Sequence, residues 1–549
     1  MTSNTELAFT PAWKQAELVA ARKISPVELV EAYLSRIERI DPQIGAYITV
    51  AAEQAREAAL EAEVRLARSM RSRASLTREE RANDSTLSQG ERANDLPPLF
   101  GVPVSLKDVE ATKGIRTTLG SRIFADTVPE NDSVVAERTR ATGAIIIGKT
   151  NTPEIAIHLE TITDNEVRGP CLNPWDLTRT TGGSSGGAAA ALITGLCAVA
   201  VGSDGGGSVR IPAAFCGVFG IKPTQGRVPR ARGLGKGDPN QFAQSGPMSN
   251  NVLDSAILLQ ALSGPHPLDP QPYLREPAPD FVTPVKELMA RAESKPLKGV
   301  RVGWSADLGH AAVDSEMARV CSEAAQAFAS LGADVETAEV KFSADLPEHF
   351  WNVFGANAYM QYGHLLDDPA KAALMGRSAR TALERGKAIP GHAYAKSLRA
   401  VNELRLYVDS LFGKYDIVLT PTTAIPAFDP KDRPTQIAGR EIHAINGFYP
   451  YTFPFNMSQH PAATIPCGFM DGASGRASPL SPGEGSRASG PQGEGTDEHL
   501  DRTAGRARSS LLPAGLQVIG RRGDDAGVLR ACAAFEMARP WQATRPSIA

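Results

Sequence analysis

Between Thr180 and Gly217 the chain reads TTGGSSGGAAAALITGLCAVAVGSDGGGSVRIPAAFCG, and ten of the 36 positions from Gly182 to Gly217 are glycine. The whole chain has 50 glycines in 549 residues, so this concentration has a local backbone cause. Glycine permits tight turns and lets backbone N–H groups come close to a reacting atom. Serines sit in such surroundings twice, in GGSSGG and in DGGGSVR. The arrangement points to a nucleophile. A serine hydroxyl still needs a base to take its proton, and the stretch contains no histidine.

Composition narrows the classes. The chain is 42% apolar and 22% charged, an ordinary globular balance. The length permits one large α/β domain or two to three smaller ones. With 58 basic and 61 acidic residues the net charge is −3, which gives no electrostatic footprint for nucleic acid or a membrane surface. Six cysteines (Cys171, Cys197, Cys216, Cys321, Cys467, Cys532) show no CxxC pair, and they read as buried free thiols of a reducing compartment. The first residues, MTSNTELAFTPAWKQAELVAARK, contain no apolar signal region. The longest apolar run, Ala188 to Val201, is too short to span a bilayer and reads as a buried helix and strand. The expectation is a soluble cytoplasmic protein.

Ser25-Pro26-Val27-Glu28 forms a capping box, with Leu29, Tyr33, Ile37 and Ile40 as the apolar stripe of the helix that follows. A second helix is expected from about Val50 to Leu66. Residues 70–96 then contain ERAND twice, eleven residues apart, and a related polar stretch lies within 471–511. Both segments are poor in apolar residues, so they read as disordered insertions rather than as a two-repeat solenoid. Elsewhere β-branched runs at 143–148, 299–304, 333–340 and 415–421 alternate with helical patterns at 317–329, 381–412 and 525–538. That alternation predicts an α/β fold in one large domain, a mixed sheet core covered by helices on both sides.

Two short pattern matches can be weighed by context. GAIIIGKT (143–150) fits the P-loop pattern, but its centre is a strand core and Asn151-Thr152-Pro153 follows where a helix is needed. GGSSGG fits a nucleophile elbow centred on Ser184 or Ser185, which needs a strand before the serine and a histidine downstream. NPWDLTRTT before it reads as loop, while His364, His392, His443 and His460 all follow. No histidine pair has metal-ligand spacing, so no metal is expected.

The remaining constellation is longer. PVSLKD (103–108) puts Lys107 at the end of an apolar strand, where burial lowers a lysine pKa and leaves it a usable base. With GVPVSLKD, the NPWD before GGSSGGAAAA, and SDGGGSVRIPAAFCGVFGIKPT, the chain resembles the amidase signature family. The likeness continues through PFNMSQHPAATIPCGF and LPAGLQVIGRRGDD, and it implies an amidase signature domain over residues 7–540 outside the two insertions. By that resemblance Lys107 is the base, Ser184 the bridging serine and Ser208 the acylated nucleophile. It further implies a cis peptide at Gly183-Ser184. Backbone N–H groups of Gly205, Gly206, Gly207 and Ser208 are expected to hold the oxyanion. Asp204 and Arg210 are expected to brace the loop, and Ser185 to be structural. Thr163, Asp164 and Asn165 fall in a comparable family segment and are assigned no role.

The resemblance therefore implies an amidase that needs no cofactor, takes a small-molecule amide, binds neither nucleic acid nor membrane, and is compatible with a homo-oligomer. Three alternatives stay open: the A subunit of an aminoacyl-tRNA amidotransferase complex, a non-catalytic relative, and an α/β-hydrolase-type esterase using Ser184 or Ser185. Against the first, those subunits usually carry threonine in place of Gly205 and glutamine in place of Ile211. Phe350, Trp351, Phe354, Tyr359 and Tyr362 fall at near-helical spacing, either as an acyl pocket or as core.

Overall fold

Strands rich in valine and isoleucine bury both faces, and here they assemble into one sheet that spans the chain. The computed structural model describes residues 4–75, 96–158, 161–231, 241–269, 277–291, 293–443, 446–471, 478–479 and 511–549. The strands of the large sheet are β1 (Tyr47–Val50), β2 (Pro103–Lys107), β3 (Ile145–Thr150), β4 (Val199–Asp204), β5 (Phe219–Lys222) and β6 (Gln244–Ser249). They continue with β7 (Arg301–Trp304), β8 (Asp334–Thr337), β9 (Ile417–Pro421), β10 (Ala462–Asp471), β11 (Ser478–Pro479) and β12 (Leu511–Gly520). Their order is β1-β3-β2-β4-β6-β5-β10-β12-β9-β7-β8, with β11 paired to β10. Pairing is parallel along β3-β2-β4 and β9-β7-β8 and antiparallel elsewhere, so the sheet is mixed.

Alternate residues of a strand point to opposite faces. Ile417 and Leu419 join one apolar cluster and Val418 another; Val518 and Ile519 divide in the same way. Helices Arg210–Cys216, Ser315–Ser330 and Asp525–Ala538 pack on β10 and β12. The single large α/β domain is as the sequence predicts.

The capping box forms as expected. Ser25 Oγ accepts from the Glu28 backbone at 3.1 Å, the Glu28 side chain accepts from the Ser25 N–H at 2.9 Å, and the helix runs Pro26–Ile44. Three local expectations need correction. The second helix is Ala52–Ser75, because Val50 belongs to β1 and pairs with Gly148. The pattern over 381–412 is two helices, Arg377–Lys387 and Gly391–Lys414, because Pro390 lacks an N–H and disfavours helical backbone before it. The stretch read as loop before GGSSGG contains a two-stranded pairing of Leu172–Asn173 with Asp176–Thr180.

Most of both polar segments, residues 76–95 and 480–510, lies outside the described residues. All six cysteines are buried and free. Among the described residues no helix is long and apolar enough to cross a membrane.

Candidate active site

The parallel pairing of β2 with β3 and β4 carries Lys107 to the middle of the fold, where its side chain is fully buried. Its Nζ donates to Ser184 Oγ at 2.6 Å and to Ser203 Oγ at 3.0 Å. Burial, the largest influence, brings the Lys107 pKa down to about 7 against the opposing pull of Asp204 and Glu110, and Arg230 adds to the lowering. A lysine so placed is a base near neutrality.

Ser184 follows a cis peptide bond at Gly183-Ser184, the isomer the family resemblance implies. Ser185 is tied to the backbone. Its Oγ donates to the Ser203 carbonyl and accepts from the Ser203 N–H, both at 3.3 Å, and its N–H donates to the Ser208 carbonyl at 3.1 Å. Thr163 closes the turn by donating from Oγ1 to the Gly182 carbonyl at 2.8 Å and accepting from the Gly186 N–H at 3.1 Å. Sequence reasoning left Thr163 and Ser203 without a role. No local signal marks them, because their contacts join residues 18 or more positions apart.

Strand β4 ends at Asp204, and the glycine loop begins there. Asp204 and Arg210 are fully buried and paired. The Asp204 carboxylate also accepts from the Gly207 N–H at 2.7 Å, the Val209 N–H at 3.2 Å and Asn456 Nδ2 at 2.9 Å. Burial alone pushes this carboxyl up, but the charge and hydrogen bonds of Arg210, with that of Asn456, hold it well below the usual range. The remaining guanidinium donors go to the Thr452 carbonyl at 2.9 Å, Gln517 Oε1 at 2.6 Å and Asn456 Oδ1 at 2.6 Å. All five N–H donors of Arg210 are thereby satisfied.

The loop's own N–H groups divide into two sets. Gly207 was expected to help hold an oxyanion, but its N–H is already committed to Asp204. Those of Gly205, Gly206 and Ser208 have no acceptor among the described residues. Gly207 adopts φ +130°, and a Cβ there would lie 2.4 Å from Thr452 Oγ1, so only glycine fits. Thr452 Oγ1 donates to the Gly206 carbonyl at 2.7 Å. From the aromatic stripe, Phe350 and Phe354 stack at 5.3 Å and face the loop: a Cβ on Gly206 would be 2.9 Å from Phe350, and one on Gly205 3.3 Å from Phe354. Phe350 is core and Phe354 half-buried.

Ser208 is half-buried and makes no side-chain hydrogen bond to Ser184 in this structure. Among the described hydrogen bonds neither Ser184 nor Ser185 contacts a histidine. Two further lysines are fully buried but lie off the serines. Lys149 donates to the Glu110 carbonyl, to Thr112 Oγ1 at 2.9 Å and to Thr117 Oγ1 at 3.0 Å; Lys222 donates to the Pro223 carbonyl at 2.8 Å. Lys149 lies within β3, which excludes a phosphate loop there.

A family model described as Amidase matches residues 69–529. The chain is 31% identical over 542 residues to the acylamidase of Rhodococcus erythropolis, with 98% of each protein covered. It is 32% identical over 565 aligned positions to the A subunit of glutamyl-tRNA(Gln) amidotransferase from Moorella thermoacetica, with 99% of each covered. Among solved structures, that of a bacterial aryl acylamidase of the amidase signature enzymes superposes with a TM-score of 0.78 at 28% identity, covering 97% of each chain.

Proposed function

The chain belongs to the amidase signature family, and on that premise we propose that it hydrolyses a carboxylic amide through an acyl-serine on Ser208. The observation that carries this reading is a fully buried Lys107 whose Nζ lies 2.6 Å from Ser184 Oγ. Neutral Lys107 takes a proton from Ser184, which takes one from Ser208 as Ser208 Oγ attacks the amide carbonyl. Catalytic contacts are commonly loose without substrate and tighten with it, so the open Ser184-to-Ser208 step is compatible with this relay. The N–H groups of Gly205, Gly206 and Ser208 are available to the oxyanion, each worth roughly 10²–10³ in rate. The relay returns its proton to the leaving nitrogen, and water then hydrolyses the acyl-serine by the reverse route.

Likeness to an amidotransferase A subunit favours a second reading, in which the chain works inside a complex. Gly205 speaks against it. A threonine there would bring its Cβ 3.3 Å from Phe354 and its further atoms against that ring.

The test is release of ammonia or amine from aliphatic, aryl and peptide C-terminal amides by the purified chain and by Ser208→Ala. The expected result is hydrolysis that falls about 10³-fold or more in the variant. Activity that appears only with co-purified subunits would favour the second reading.

A further inference from the structure

The segment after β5 forms a wall beside the glycine loop. Gln225 Nε2 donates to the Ala243 carbonyl at 3.1 Å and Gln244 Nε2 to the Val228 carbonyl at 2.6 Å. Ala243 is itself 3.6 Å from where a Gly205 Cβ would stand. On its other side the segment is fastened by the Val134 N–H, which donates to the Ala231 carbonyl at 3.1 Å. The adjacent Ser133 Oγ reaches Glu110 at 2.8 Å, and Ser245 Oγ reaches the same carboxylate at 2.9 Å. Arg230 is thus carried between the oxyanion loop and the turn that follows Lys107.

Its guanidinium is incompletely used. Arg230 Nη1 is buried without a hydrogen-bond acceptor among the described residues. Arg227, three residues earlier, pairs with Asp525 at 3.0 Å and with the Gly523 carbonyl at 2.9 Å. The Arg230 charge acts on Lys107 and on the hydroxyl of Tyr362, which ends the helix bearing Phe350 and Phe354. A buried donor withheld from both water and protein is costly, and an arginine cannot lose its charge to relieve that cost. A carboxylate is the planar acceptor that a guanidinium fork fits.

We propose that Arg230 receives a carboxylate of the substrate, so that the preferred substrates are amides bearing an acidic group. This rests on the amidase reading above.

The experiment compares kcat/KM within matched pairs. Adipamic acid against hexanamide puts the acid on the acyl side, and N-hexanoylglycine against N-ethylhexanamide puts it on the amine side. The full chain, Arg230→Met and Arg230→Lys are each assayed on both pairs. The full chain should favour the acid of one pair by roughly 10- to 100-fold, the worth of a hydrogen bond to a charged group. Arg230→Met should bring that ratio near one, and Arg230→Lys should keep part of it. A ratio taken on one preparation is independent of how much variant protein folds. A ratio near one for both pairs in the full chain overturns the proposal, as does a preference that survives Arg230→Met. Failure to hydrolyse any of the four amides defeats the amidase reading instead, and is distinguishable because loss of acid recognition alone leaves hexanamide hydrolysed.

Discussion

Asp204 and Arg210 meet through two parallel hydrogen bonds of 2.9 Å, Nε to Oδ2 and Nη2 to Oδ1, with both side chains fully buried. Removing one partner of such a pair strands the other charge in the interior, which costs about 3–5 kcal/mol. Asp204→Asn keeps the shape and loses the charge. It should lower the unfolding free energy by about 3 kcal/mol or more in denaturant titration, and it should lower activity further because the carboxylate also holds the Gly207 N–H. Unchanged stability would mean the pair is dispensable to the loop.

Lysine acts as a base only when neutral, and burial brings Lys107 to about 7. Activity is therefore present above that value and lost as pH falls through it. The neutral fraction drops roughly fivefold from pH 7 to 6 and roughly tenfold from pH 6 to 5. The acid limb of kcat/KM should follow. A flat profile down to pH 5 would remove Lys107 from the role of base.

Three lysines are fully buried, yet only Lys107 touches a serine of the site. Lys107→Ala should cost about 10²–10⁴ in kcat, the usual worth of a positioned base. Lys149→Ala removes hydrogen bonds to Thr112 and Thr117 and should act on stability instead. Measuring kcat per folded molecule separates the two. Equal losses would show that the base is misassigned.

The peptide between Gly206 and Gly207 is held at both ends, its carbonyl by Thr452 Oγ1 and its N–H by Asp204. Its orientation sets where the neighbouring N–H groups point. Thr452→Val removes the donor and should lower kcat about tenfold or more, with a smaller change in KM. Thr452→Ser should restore most of the loss. If serine fails as badly as valine, the methyl packing matters and the hydrogen bond does not.

Some of this architecture was legible from local signals. Ser25 and Glu28 announced a helix start, PVSLK and IVLTP announced strands, and the glycine spacing marked the nucleophile loop. Each depends on neighbours a few residues away. Strand β1 was hidden because YITV is short and runs directly into an alanine-rich helix. Gln517, Asn456 and Thr452 were illegible for another reason. They reach the loop from more than 240 positions away, and nothing around a buried glutamine or asparagine in the sequence says which arginine it faces. The commitment of the Gly207 N–H to Asp204 was equally hidden, since spacing alone treats four consecutive N–H groups as equivalent.

Gln517 lies on β12, among the last strands to leave the ribosome, while Lys107 is among the first side chains of the site to be made. A fragment ending before Leu511 would contain every one of the lysine and serine residues and still lack an acceptor for the buried Arg210. Synthesis order thereby becomes a safeguard: the hydrolase is unarmed until its chain is nearly complete, and a cut that frees β12 disarms it again.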